Sequence, residues 1–466
     1  MSWSGSIQAV QRHPLFCAGL VFMLYSMLAS VTIQFLLLPH VLPGIHAGHG
    51  LLAGGDYPSL HSIAARMASR ITDEGWSAWE VLPDGQSGAG LASAIYAFIY
   101  PEPWALIPFN AAFHAVGGVI VMRLIQILSG KANIAFAGGA LYVFFPSAMN
   151  WVSQIQKDST YFAGMLGVLL GLIALVRAAK RNSRPQDMGI AIMIVFSGLI
   201  CIGIARFYGL ELVRVATTII ALMITPPLLR GWWAGIISTG RIAAVAITIA
   251  FTVSAGLFVP QNSATSERVW GGNVELPRSG QSTTDSVHLV VKHWERNRYL
   301  PDLLDRTFMR IAIARYGWSG ATYATAGSKI DADVGFTSAL QVIEYFPRAL
   351  QIGLGAPFPE HWFAQGSSPG GTAMRRVSGI EMLVLYPLFL LGLPLATWRW
   401  RRRIEYWMIC GFCFPVLTLC AYVVPNVGAL HRLRYGFLMP LAALGLAAIW
   451  LTLQDLINRS RNSATA

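Results

Sequence analysis

An all-α polytopic integral membrane protein is the fold class this sequence predicts, and three observations predict it. Hydrophobic residues make up 55% of the 466 and charged residues only 12%, about half the charged share usual in soluble domains. The apolar residues gather in runs of roughly 17–24, the length that crosses a hydrocarbon core of about 30 Å as helix. Lysine and arginine concentrate in alternate short connections, as cytoplasmic loops do.

In chain order, about ten transmembrane helices are predicted over 15–38, 105–128, 133–150, 159–176, 188–205, 210–229, 242–259, 380–398, 406–424 and 436–453. Arg12 precedes the first run and Lys131 follows the second. Arg177, Lys180, Arg181 and Arg184 follow the fourth, Arg230 and Arg241 flank the connection after the sixth, Arg399 and Arg401 to Arg403 follow the eighth, and Arg459 and Arg461 close the chain. A count of ten puts all of them on one side, so both termini are expected in the cytoplasm. The first run is too long for a signal h-region and lacks a small-residue cleavage site, so it is expected to be retained. The net charge of +12 then reflects topology, and no nucleic-acid partner is expected. The expected organisation is an N-terminal membrane module over 1–259, a long outer segment over 260–379, and C-terminal membrane helices over 380–466.

Two outward segments, 40–104 and 260–379, exceed the length of simple connectors, and long connections in compact proteins are commonly functional. Over 59–71, Leu60, Ile63, Ala64, Met67 and Ile71 share one helical face, with His61, Arg66, Ser69 and Arg70 opposite. Over 301–316, Leu304, Phe308 and Ile311 oppose Asp305, Arg306 and Arg310. Both read as outward-facing interfacial helices. The run 91–100, before Pro101-Glu102-Pro103-Trp104, is too short to cross and belongs at the surface. Cys17, Cys201, Cys410, Cys413 and Cys420 fall within apolar runs, so the Cys410-x-x-Cys413 spacing reads as packing and not as a redox or zinc motif. Walker, dinucleotide and HExxH motifs are missing from the sequence, which argues against an ATP-driven pump.

The candidate site residues are charges where a membrane protein of this topology would not put them without reason. Asp56 follows Gly48, Gly50, Gly54 and Gly55 and precedes Pro58, which suits the start of a helix behind the acid. Lys157 and Asp158 sit together in the short outer loop after the third span. Arg206, with Tyr208, ends the fifth. His431, Arg432 and Arg434 lead into the last. Outward cations at the membrane boundary either snorkel to headgroups or neutralise an anion. The plainer readings are helix capping by Asp56 and Asp158 and interfacial anchoring by Lys157, Arg206, Arg432 and Arg434. Glu211 and Arg214 are three apart and are expected to pair with each other. His46, His49, Asp56 and His61 lack a definite ligand spacing, so no metal site is expected among them.

The loop acid in Gly54-Gly55-Asp56-Tyr57 with the amphipathic helix behind it, the second acidic loop Gln156-Lys157-Asp158-Ser159, and the late basic motif His431-Arg432-Leu433-Arg434-Tyr435 together resemble the GT-C membrane glycosyltransferases. That superfamily includes aminoarabinose transferases and protein mannosyltransferases, which take sugar from polyprenyl-phosphate carriers. The resemblance is clearest from Leu15 to Val176 and implies a multi-pass enzyme of a bacterial inner membrane with a periplasmic active site, acting in cell-surface polysaccharide or glycan synthesis. Its implied partners are a polyprenyl-phosphate-linked sugar, a glycan, lipid or protein acceptor, and membrane lipids. The segment 330–359, with Asp331-Ala332-Asp333 and Ala356-Pro357-Phe358-Pro359, matches no motif of that superfamily.

The chemistry suits the residue types. Glycosyl transfer from a lipid phosphate needs a base near the acceptor, which Asp56 supplies, and positive charge at the departing phosphate, which Lys157, Arg206, Arg432 and Arg434, with His431, supply. Asp158 either orients Lys157 or an arginine, or holds a Mg²⁺ or Mn²⁺ ion. The orienting role is preferred, with no cofactor required. The competing readings are a transporter or flippase of lipid-linked glycans, which would place its polar groups near the bilayer midplane, a polysaccharide polymerase or ligase, and a non-enzymatic assembly subunit.

Overall fold

The computed structural model describes residues 13–53, 55–258, 290, 292–319, 328–366 and 369–464. Arg12, Gly54 and the 260–289 part of the long outer segment lie outside the described residues. The chain forms two compact units, Met1–Gly256 with Leu383–Cys413 and Gly436–Ala466, and Leu257–Met382 with Phe414–Tyr435.

Helix occupies every predicted span, and no strand forms among the described residues. Among the described residues, eight helices are long and apolar enough to cross a membrane, nine if one bent pair is a single span. The protein is thus an all-α, multi-pass membrane protein. The bent pair, Ala132–Val143 with Pro146–Val152, turns by 48° at the predicted third span, where Pro146 lacks the N–H that would continue the helix. The predicted seventh span is the 17-residue helix Thr239–Ala255, at the short end of the length that crosses a bilayer.

The first unit contains α1 (Pro14–Thr32), α2 (Tyr57–Glu74), α3 (Ser87–Phe98), α4 (Ile107–Ser129), α5 (Ala132–Val143), α6 (Met149–Val152), α7 (Asp158–Lys180), α8 (Pro185–Ala205), α9 (Gly209–Trp233) and α10 (Thr239–Ala255). Local signals set their ends. Asp158 stands in the first turn of α7 and Arg177 and Lys180 in its last, each charge complementing the helix dipole. Helix α8 opens on Pro185, and its Asp187 carboxylate accepts the Arg184 N–H at 3.2 Å, closing an orphan donor of the first turn.

Helix α7 is the centre of this unit, with 83% of its most apolar window buried. It meets α8 through glycines. A Cβ at Gly164 would lie 2.8 Å from the Gly198 carbonyl, and one at Gly198 would lie 2.6 Å from the Gly164 carbonyl. Helix backbones approach this closely only where side chains are missing. Arg177 donates to Glu405 at 2.6 Å, and Glu211 pairs with Arg214 at 3.7 Å as expected. Cys410 and Cys413 are buried free thiols.

Helix α2 buries Leu60, Ala64, Met67, Ala68 and Ile71. That is the predicted apolar face with Ala68 added and Ile63 only half-buried. It packs against α3, where Ala89, Ala92 and Tyr96 complete a small core.

In the second unit, α11 (Asp302–Ser319), α12 (Ala339–Glu344) and α13 (Phe346–Gly355) pack around Phe336, Val342, Ile352, Tyr422 and Leu430. The expected face of α11 is reversed at its start: Leu304 is exposed and Asp305 buried. Partners explain the reversal, because Asp305 accepts from Trp294 Nε1 at 3.1 Å and from the Asn297 N–H at 3.3 Å, so the carboxylate is satisfied inside. Arg315 is also buried, donating to the carbonyls of Val334 at 2.8 Å and Tyr422 at 2.7 Å and to that of Asp331.

Candidate functional site

The glycine-rich loop folds into a tight hairpin. Ala47 and Ala53 N–H donate to the Leu51 and Ile45 carbonyls at 2.8 Å. Its tip turns through three successive left-handed residues, Gly48 (φ 91°), His49 (φ 52°) and Gly50 (φ 69°). Glycine is required at position 50 twice over, for its φ and because a Cβ there would stand 2.8 Å from Gln34 Cβ.

Gln154 joins this hairpin to the second loop. Its Oε1 accepts from the Leu52 N–H at 2.9 Å and its Nε2 donates to the Gly50 carbonyl at 3.2 Å. The second loop is itself held from below: Asn110 Nδ2 donates to the carbonyls of Val152 at 3.1 Å and Gln154 at 2.9 Å, and Gln34 Nε2 donates to that of Ser153. The two loops that carry the predicted acids therefore meet.

Four residues beyond Gln154, Asp158 is fully buried and accepts from Arg206 Nη2 at 2.7 Å, with the Arg206 side chain 8% exposed. Arg206 Nη1 donates to the Tyr208 hydroxyl at 2.7 Å, and its guanidinium lies 5.6 Å from the ring centroid of Tyr161 and 5.8 Å from that of Tyr208. Burial alone would weaken the hold of Arg206 on its proton. The Asp158 carboxylate, then Tyr208 and Tyr161, outweigh it and raise the pKa above its ordinary value, so the group is a fixed cation. Lys157 Nζ donates to Ser87 Oγ at 2.8 Å, and Ser87 Oγ donates to the Ala205 carbonyl at 2.6 Å. One chain of contacts thus runs from Lys157 through the first residue of α3 to the Arg206 turn.

Asp56 occupies the N-cap position of α2, but its side chain makes no capping hydrogen bond, and it is exposed. It sits one turn before Leu60, whose methyl groups face Gly88 beside Ser87. Asp158 is the first residue of α7 and not its N-cap, which is Lys157.

The late basic motif lies in the second unit and is helical. Helix α14 (Val427–Ala464) begins nine residues before the predicted span, so the i,i+3 spacing puts His431 and Arg434 on one face, 3.5 Å apart. His431 Nε2 lies 3.2 Å from a carboxylate oxygen of Glu381, both buried. Arg434 is 1% exposed. It donates to the carbonyls of Ile352 at 2.9 Å, Gly353 at 2.7 Å and Ala356, which close the C-terminal end of α13. Arg432 is half-buried.

Among the described residues, the side chains close enough to share an ion are His49, His61 and Glu102, their ligand atoms within 4.8 Å of one another. Asp56 and Asp158 are not in that group. Asp158 Oδ1 accepts from the Arg206 guanidinium, the contact that its orienting role requires. Burial, then the neighbouring His49, lowers the pKa of His61 against the opposing pull of Glu102. Two features escaped the sequence reading: Glu102, 53 residues from His49, and Ser87, whose hydroxyl carries no local pattern.

No family model matches this chain, and no curated protein does. Among solved structures it is similar to the archaeal oligosaccharyltransferase AglB from Archaeoglobus fulgidus, in complex with an inhibitory peptide and a dolichol-phosphate. The match has 12% identity and a TM-score of 0.46, over 99% of this chain and 52% of that one. The chain spans about half the length of that structure, and a likeness at this level carries no argument about activity.

Proposed function

We propose that the chain is a membrane glycosyltransferase moving a sugar from a polyprenyl-phosphate-linked donor to an acceptor, at the place where the hairpin, the second loop and the Arg206 turn converge. One observation carries the reading: the buried Asp158–Arg206 pair, 2.7 Å apart, with Lys157 beside it at the N-terminus of a transmembrane helix. A buried ion pair seldom stabilises a fold better than apolar packing would. Its usefulness lies in holding a charge at a set place and in a set state.

In this reading Arg206, Lys157 and the first N–H groups of α7 face the departing phosphate, where preorganised positive charge in a poorly hydrated site lowers the barrier most. Asp158 is a positioning residue that keeps Arg206 aimed. Asp56, exposed at the start of α2, serves as the general base, an effect worth about 10²–10⁴-fold. In the same reading Arg434, which donates to three carbonyls at the end of α13, and His431, which pairs with Glu381, support the second unit. The inner-membrane location, the outward-facing site and the role in polysaccharide synthesis rest on the resemblance of the loop motifs to GT-C enzymes.

The test is transfer by purified protein from radiolabelled polyprenyl-linked sugars to candidate acceptors, in wild type and in Asp56→Asn. Wild type should transfer, and the variant should fold and bind donor while losing at least a hundredfold in rate. Full activity in Asp56→Asn would remove the base. Movement of a labelled lipid-linked glycan between vesicle leaflets, without transfer, would replace the enzyme with a carrier.

A further inference from the structure

We propose that His49, His61 and Glu102 form a binding site for a divalent transition metal, Zn²⁺ by the chemistry of its donors, which ties together the three chain segments around Asp56. The proposal stands apart from the transfer reading, since it concerns metal binding and not turnover.

The three residues come from different elements. His49 is at the left-handed tip of the hairpin, His61 is in the second turn of α2, and Glu102 is in the corner between α3 and α4, where its own N–H donates to the Tyr100 carbonyl at 2.8 Å. His49 Nδ1 lies 3.1 and 3.0 Å from the two Glu102 oxygens. The rings of His49 and His61 are 4.9 Å apart between centroids.

Two imidazoles and one carboxylate are a recurrent zinc donor set, with a fourth position open to water. Ligand atoms about 2.0–2.2 Å from a tetrahedral ion stand roughly 3.3–3.5 Å apart. The His49–Glu102 edge is already near that spacing. The edges to His61 are within 4.8 Å.

The outer shell is also in place. His61 Nδ1 lies 3.0 Å from the hydroxyl of Tyr96, which is buried on α3. With Nδ1–H donating to that oxygen, Nε2 carries the lone pair a metal needs, the usual way a neighbouring oxygen sets a ligand histidine's tautomer. His46 Nε2 accepts the Gly50 N–H at 3.1 Å, bracing the turn that presents His49. His49 itself stands at φ 52°, a left-handed conformation that histidine adopts more often than most side chains. Ca²⁺ and Mg²⁺ are disfavoured, because they prefer all-oxygen ligands.

The experiment uses the full chain without a polyhistidine tag, stripped with chelator in detergent and dialysed against micromolar Zn²⁺. Elemental analysis should find about one zinc per chain in wild type. His49→Ala, His61→Ala and Glu102→Gln should each lose at least nine-tenths of it, and Tyr96→Phe should weaken binding about tenfold. A wild-type measurement guards against misfolded variants: Zn²⁺ should block diethylpyrocarbonate modification of His49 and His61, mapped by mass spectrometry, while leaving exposed His40 reactive. No zinc retained by wild type, equal retention in the three ligand variants, or unprotected His49 and His61 would each overturn the site.

Discussion

Replacing Asp158 by Asn removes one charge from the pair on which the proposed site rests while keeping the side chain's shape. Asp158 is fully buried and Arg206 nearly so, at 2.7 Å, so solvent cannot screen the guanidinium left behind. Stranding a buried charge costs about 3–5 kcal/mol, a large share of the roughly 5–15 kcal/mol that holds a typical protein together. The double variant Asp158→Leu with Arg206→Met removes both charges and fills the space, so it should recover most of that stability. It should not recover transfer, because the aimed cation is gone, at about 10²–10³-fold in rate. Denaturant unfolding in mixed micelles reads the first effect, and initial rates of sugar transfer read the second. A loss below about 1 kcal/mol in Asp158→Asn, or a double variant no more stable than the single, would refute the buried-pair argument. Full transfer by the double variant would refute the role assigned to Arg206.

Other expectations follow from the same contacts. Arg434→Gln should destabilise the second unit by about 1–3 kcal/mol, since carbonyls at the end of α13 lose a charged donor, with donor affinity unchanged; normal stability with lost donor binding, by calorimetry, would return Arg434 to the phosphate. In a variant freed of native cysteines, cysteines at Ser59 and Gln156 should react with an impermeant reagent from outside, and one at Ser183 should not; labelling of Gln156 from the cytoplasm alone would invert the topology. Asp331 receives Arg348 Nε at 2.8 Å and Nη2 at 3.0 Å and the Tyr345 hydroxyl at 2.9 Å. The hydrogen bonds from Arg348, against the opposing effect of burial, hold its pKa below the ordinary carboxylate value. A depressed folded pKa contributes stability that is present above about pH 4 and lost as pH falls through the folded value. Acid unfolding should therefore flatten in Asp331→Asn, and an unchanged acid limb would discount the pair.

Helix at each of the ten predicted spans was legible in the chain, and so was most of the amphipathic face of α2, because run length against bilayer thickness and 3.6-residue periodicity are local properties. Asp56, Lys157, Asp158 and Arg206 stood out for a local reason as well: each is a charge at the edge of an apolar run. Which charges would meet was not local. Asp158 finds Arg206 48 residues away because glycine contacts draw α7 and α8 together and bring the start of one beside the end of the other. Glu102 reaches His49 because Gln154 pins the hairpin while α2 and α3 pack against each other. Burial also reversed one expectation, turning Asp305 inward, and it gave Arg434 carbonyl partners that no local pattern announces. A sequence shows that a polar group exists, but its partner is selected by which backbone and side-chain atoms the packed helices leave within about 3 Å of it.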